Sequence, residues 1–139
     1  MSKGRVHQAT TISTNLVEFD FPYRGPQSGT LTLRTHPKHG KDVIFSIERG
    51  QLLVRSYEDS STLVRFDDSD PISFKVVGAE DHSSTSAFFK DYQGFVSKVM
   101  KAKRVRISLP VYQQGSPVFE FDVSSFDADS YLEKKAGPE

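Results

Sequence analysis

Cysteine and tryptophan are absent from this chain of 139 residues, and methionine occurs only twice. Without thiols the protein has no disulfide, no thiolate nucleophile and no cysteine-ligated zinc or iron-sulfur centre. An excess of charge is missing as well, because 18 Lys and Arg balance 18 Asp and Glu. The chain therefore has no global field to gather nucleic acid or anionic lipid, and any electrostatic partner must meet a local patch. No apolar run approaches the roughly 18 residues of a membrane helix. The opening "M-S-K-G-R-V-H-Q" lacks the apolar segment of a signal peptide, so taken literally the chain is expected to be soluble and unexported.

What is present is aromatic: eleven phenylalanines and five tyrosines. Aromatic and β-branched side chains suit a pleated, half-buried surface, which favours a core built by sheets over a helical bundle. At this length folding buries about two thirds of the surface of the unfolded chain, enough for one core. Val17, Phe19 and Phe21 alternate with polar residues, as do Leu31 and Leu33, then Val43, Phe45 and Ile47. Gly50 suits a bulge-type hairpin after Ile47, with Leu52, Val54 and Ser56 returning on the partner strand. Val64 and Phe66 follow, then Ile72, Phe74 and Val76 beyond the acidic turn "D-D-S-D-P". The expectation is a meander of short antiparallel strands.

The period changes after "E-D-H-S-S-T-S". Phe88, Tyr92, Phe95, Val96, Val99, Met100 and the stem of Lys103 fall on one helical stripe, which predicts an amphipathic helix over about 86–102. Ser83 to Ser86 supply its expected N-caps. Val105, Ile107 and Leu109, then Phe119, Phe121 and Val123, make two closing strands. An antiparallel pairing of those faces sets Arg104 opposite Asp122 and Arg106 opposite Glu120. The predicted fold is mainly β, a sandwich or open barrel of about 7–9 strands with one helix. It forms a single domain over residues 1–139, with 1–14 and 127–139 as fraying termini.

Candidate chemistry is sparse. His36 and His39 in "R-T-H-P-K-H-G-K-D" are three apart, but Pro37 and Gly40 break the helix that would align them on a metal, so the stretch reads as a turn. Arg34, Lys38 and Lys41 lack the glycine-rich strand-to-helix setting of a phosphate grip. Asp81, His82 and Ser83 are sequence neighbours, whereas a nucleophilic triad converges from separate segments. Asp67, Asp68 and Asp70 lack the glycine and distal glutamate of an EF-hand loop. The densest charge is "K-V-M-K-A-K-R-V-R". There Lys98, Lys101, Lys103, Arg104 and Arg106 form a basic patch that would be the binding surface for nucleic acid or an anionic polymer. No interleaved exposed aromatic accompanies it, and a solvated helix end explains the same charges. No catalytic residue, metal or cofactor is expected, which leaves a non-enzymatic binding domain.

The motifs "F-P-Y-R-G" (21–25), "H-P-K-H-G-K-D-V-I-F-S-I" (36–47), "G-Q-L-L" (50–53), "V-R-F-D-D" (64–68), "A-K-R-V-R-I" (102–107) and "G-S-P-V-F-E-F-D-V" (115–123) run in order through nearly the whole chain. In these it resembles an uncharacterised family of small bacterial envelope proteins, often predicted lipoproteins, that also occur in phage and mobile elements. The resemblance implies a single β-rich, usually exported domain with an unknown protein partner in the envelope, and it brings no known activity. Relatives carry cysteines where Val54 and Ser60 stand here, so this chain lacks a local staple worth about 2–3 kcal/mol. Relatives also begin earlier, with a signal sequence and a "D-x-M-[ST]" pattern onto which Met1 and Ser2 fall. An upstream start implies the periplasm or envelope. A genuine start at Met1 implies the cytoplasm, where an inhibitor or nucleic-acid-associated factor of a mobile element, using residues 98–106, is the alternative.

Overall fold

The computed structural model of the protein describes residues 7–22, 24–36, 40–54, 60–79 and 84–124. Ten strands and one helix follow in the order β1 (His7–Ile12), β2 (Val17–Phe19), β3 (Gly25–Gln27), β4 (Gly29–His36), β5 (Gly40–Ile47), β6 (Ser60–Phe66), β7 (Ile72–Gly78), β8 (Ser86–Phe89), α1 (Tyr92–Val99), β9 (Arg104–Ser108) and β10 (Val118–Asp122). Eight strands form one antiparallel sheet in the order β1-β4-β5-β8-β7-β6-β9-β10, and β2 with β3 forms a separate two-stranded ribbon. The large sheet curls until its edges meet. Thr14 donates its backbone N–H to the carbonyl of Glu120 at 2.7 Å. Asn15 donates through Nδ2 to the Val118 carbonyl and accepts through Oδ1 from the Glu120 amide, at 3.0 and 2.8 Å. The result is a nearly closed barrel in which, among the described residues, one carboxamide side chain supplies two of the hydrogen bonds across the seam.

Alternation fills the interior. Leu31 and Leu33, Val43, Phe45 and Ile47, Val64 and Phe66, Phe74 and Val76, Val105 and Ile107, and Phe119 and Phe121 are all buried. Their polar neighbours face outward because side chains on a strand point alternately to its two faces. Gly29 opens β4 where any Cβ would lie 2.9 Å from Phe45 and 3.2 Å from Phe119. Its missing side chain lets those rings approach to a centroid distance of 5.4 Å.

Several expectations from sequence are corrected here. β5 does not turn back onto a neighbouring hairpin strand; it pairs with β8, and β6 pairs with β7 and β9. Leu52 is instead buried in an isolated bridge to Val111, and Val54 packs half-buried against the core. Ser56 lies outside the described residues. Only β6, β7 and β8 form a local meander, so the strands close the barrel through non-local crossovers. The helix spans Tyr92–Val99 rather than about 86–102, and Phe88 and Phe89 belong to β8. Its N-cap is Asp91, whose Oδ1 accepts from the Gly94 amide at 2.9 Å, and not one of Ser84 to Ser86; Ser83 lies outside the described residues. Within the stretch expected to fray, His7–Ile12 form β1. Phe21 is not inward: β2 ends at Phe19, and Phe21 is 70% exposed. Among the described residues no helix is long and apolar enough to cross a membrane.

Because neighbouring strands alternate in direction, the barrel has two distinct ends. α1 and the 67–71 turn lie at one, the helix end. The β2–β3 ribbon and residues 13–16, 48–54 and 109–117 lie at the other, the loop end.

Candidate functional site

The loop end concentrates exposed apolar surface. Seven large apolar side chains are exposed among the described residues: Ile12, Leu16, Phe21, Leu53, Leu63, Tyr112 and Val118. Ile12 ends β1 and Val118 begins β10, both at this end. Leu16, Phe21, Leu53 and Tyr112 sit on its loops. Leu63 lies opposite Ser108, which itself lies opposite Val118, so it continues the same outer row.

These loops are tied to one another by polar contacts to backbone. Gln114 accepts from the Asp20 amide at 2.9 Å and donates to the Asp20 carbonyl at 2.8 Å, which fixes the base of Phe21 beside the Tyr112 turn. Tyr112 donates its amide to the Gln51 carbonyl at 2.7 Å, and Leu53 donates to the Pro110 carbonyl at 3.0 Å. The Leu52–Val111 bridge between them is buried, so Leu53 and Tyr112 turn outward on either side of it. Beneath this crown, Gln27 is fully buried; its Oε1 accepts from the Arg49 amide at 3.1 Å, while Nε2 has no partner among the described residues. The apolar crown thus rests on a scaffold of directed hydrogen bonds, which is how a protein keeps greasy side chains in water without letting them collapse inward.

The basic stretch lies at the helix end, and the structure divides it. Arg104 and Arg106 reach the same carboxylate, Glu120, at 3.6 and 3.5 Å. The register matches the sequence expectation, with Glu120 opposite Arg106 and Asp122 opposite Arg104. Arg104 leans diagonally to Glu120, however, and Asp122 accepts from the Ser124 hydroxyl and amide at 2.6 and 3.0 Å. Those two bonds hold the Asp122 carboxyl below its ordinary range, with Arg104 adding attraction. Lys98, Lys101 and Lys103 are exposed and have no ion-pair partner among the described residues.

Asp67 anchors the start of β9. Its Oδ1 accepts from the amides of Lys103 and Arg104, both at 2.9 Å, and its own amide donates to the Arg104 carbonyl at 2.8 Å. The backbone there is left-handed, φ 53°, a conformation Asp tolerates better than most residues. The two amide bonds lower its pKa, Lys103 first and Arg104 next. The first aspartate of "D-D-S-D-P" is therefore a turn anchor.

Other residues singled out in the sequence fall apart. Arg34 pairs with Asp42 across β4 and β5 at 2.5 Å, and Lys41 lies 5.7 Å over the Tyr92 ring. Pro37, Lys38, His39, Asp81, His82 and Ser83, with the side chains of His7 and His36, lie outside the described residues. No three His, Asp or Glu side chains gather as a metal site among the described residues. The crown was missed by sequence reasoning because alternation carries Phe21 inward until the strand is known to stop at Phe19. The signal for it was the cluster Pro22, Arg24, Gly25 and Pro26, which ends a strand two residues earlier than the apolar pattern does.

Comparison of the chain with protein-family profiles, curated proteins and solved structures finds no match in any of the three.

Proposed function

We propose that the protein is a non-enzymatic binding domain that engages a partner protein through its loop end. The observation that carries this reading is the gathering of every exposed large apolar side chain among the described residues onto the loop-end half of the barrel. Scattered surface apolars are ordinary, but a contiguous rimmed group marks interaction sites. Aromatic anchors at the centre of such groups dominate binding energies. Phe21 and Tyr112 would have that role, their segments joined through Gln114, with Leu53 on the segment that is hydrogen-bonded to Pro110. The bacterial envelope as the setting follows from the motif resemblance alone.

The alternative, a nucleic-acid-associated factor using residues 98–106, is less well supported, since Arg104 and Arg106 already share Glu120.

The test is a double variant, Phe21→Ala with Tyr112→Ala. Its unfolding free energy should stay within about 0.5 kcal/mol of wild type per exposed site. A partner identified by quantitative capture against wild type, then titrated by calorimetry, should bind the double variant at least about tenfold more weakly, as expected when hot-spot aromatics are truncated. Unchanged affinity, or saturable turnover of a glycan or ester substrate by the wild-type protein, would overturn the proposal.

A further inference from the structure

A second feature lies in the wall of the barrel, along the margin of β1. In an antiparallel sheet, successive residues of a strand direct their N–H and C=O to opposite sides in turn. Ser13 donates its amide to the Gly29 carbonyl at 2.8 Å, which continues the β1–β4 register and assigns the odd-numbered residues of β1 to β4. The even-numbered ones face the other way, as Thr14 does when it donates to Glu120. From that bond an antiparallel register would set Ile12 opposite Asp122 and Thr10 opposite Ser124. No backbone bond joins Ile12 to Asp122, and the Asp122 carboxylate accepts instead from the amide and hydroxyl of Ser124, a turn that ends β10. Among the described residues, the backbone N–H and C=O of Gln8, Thr10 and Ile12 therefore have no partner. All three residues are exposed, Ile12 by 62%.

An unpaired margin is a template for another strand, and folded proteins guard theirs with lysine, proline or a bulge. The sequence of β1, H-Q-A-T-T-I, has no such guard: it holds no Lys, Arg, Asp, Glu or Pro, and its register with β4 runs unbroken. What fits this margin is its own copy. Gln8, Thr10 and Ile12 are spaced evenly about Thr10. An antiparallel copy turned about a twofold axis there sets Thr10 against Thr10 of the second copy and Gln8 against its Ile12, each pair exchanging both amide and carbonyl. A side chain on the axis meets itself; paired threonines are favourable there, whereas like charges so opposed repel. β10, the other margin of the sheet, carries Glu120 and Asp122, and its copy would set acid against acid. Because the chain has no net charge, two copies approach without mutual repulsion.

We infer that two copies of the chain join through their β1 strands, margin to margin, so that the β4-β1 sheet of one barrel continues into the β1-β4 sheet of the other. The join is a single short strand pair, smaller than permanent interfaces, and it makes a weak dimer that depends on concentration. It uses backbone groups of β1, where the crown uses Phe21 and Tyr112, and each reading can fail without the other.

The experiment is sedimentation velocity of the full chain from about 10 μM to about 1 mM, a range that spans weak association, with amide exchange followed by NMR at both limits. A dimer fraction that rises with concentration is expected. Amide protection at Gln8, Thr10 and Ile12 should rise with it, while Ala9 and Thr11, which face β4, stay protected throughout. T10K and T10E should each weaken dimerisation about tenfold or more, because the axis sets each charge against its own copy. An equimolar mixture of the two should recover it, a rescue that misfolded variants would not give. The Phe21→Ala, Tyr112→Ala variant should dimerise like wild type. A monomer over the whole range, T10K and T10E dimers as tight as wild type, or no recovery on mixing would overturn the inference. Loss of the dimer in the crown variant alone would move the contact to the loop end and overturn it as well. So would protection of Gln8, Thr10 and Ile12 that is already complete at the lowest concentration, since the margin would then be occupied within a single chain.

Discussion

The two ends of the barrel use aromatic side chains in opposite ways. At the helix end Phe66, Phe74, Phe89 and Phe95 are buried and pack ring against ring, with Phe95 of α1 touching the other three at centroid distances of 4.6 to 5.6 Å. At the loop end Phe21 and Tyr112 stand in solvent on loops held by amide contacts, over a buried glutamine with an unmatched nitrogen. A helix closes one end by supplying an apolar stripe, and its own backbone hydrogen bonds leave only the groups at its two ends to satisfy, one of which Asp91 caps. Loops closing the other end must find a partner for every buried N–H and C=O, and side chains such as Gln114 and Asn15 provide them. The first solution gives stability, and the second leaves apolar groups free for use.

The largest expected effect tests the first half of that contrast. Phe95→Ala removes a fully buried ring shared by three neighbours and should cost about 3–5 kcal/mol in denaturant unfolding. A loss near that of an exposed phenylalanine would mean that the helix is an ornament and the barrel closes without it. A smaller effect belongs to the seam. Asn15→Ala removes two hydrogen bonds to β10 and should cost about 1–3 kcal/mol. Amide exchange at Thr14 and Glu120 should accelerate more than exchange in β6 or β9; uniform acceleration would show that the seam opens only with the whole fold.

The smallest effect concerns pH. Asp67 is an exposed carboxyl whose folded pKa lies below its ordinary 3.8. A depressed pKa means that the unfolded chain binds the proton more readily. The stabilisation is therefore complete above the ordinary value and disappears as pH falls through the folded one. Asp67→Asn tolerates the same left-handed backbone but cannot titrate. Thermal unfolding from pH 7 to pH 2 should show the variant weaker than wild type near neutrality and the gap narrowing in acid. Asp122, lowered in the same direction by Ser124, keeps part of the acid sensitivity in both proteins. A gap that widens in acid would contradict the amide anchoring of Asp67.

The strands were legible where alternation has one interpretation. Val43, Phe45 and Ile47, Phe74 and Val76, Val105 and Ile107, and Phe119 and Phe121 are all interior as their spacing requires, and the β9–β10 register follows from aligning the inward faces of its two strands. Ser86–Phe89 could not, since Phe88 fits both a helical stripe and a strand. The choice is made by ladders to Ile44 and Val76 that are far away in sequence. The path after Gly50 was misread for the same reason: a glycine at φ 124° permits a turn but does not say which strand the chain meets next. The candidate sites were the least legible. The crown depends on where β2 stops, two residues before its apolar alternation does.

The join at Asn15 sets how the ring yields. A cylinder of strands normally has no free margin, yet here Asn15 and Thr14, just beyond β1, work together as a clasp on β10. If it is released, two complementary antiparallel margins face water together, each shaped to accept the other. Crowded copies of the chain would then face a choice between reclosing and exchanging their first strands.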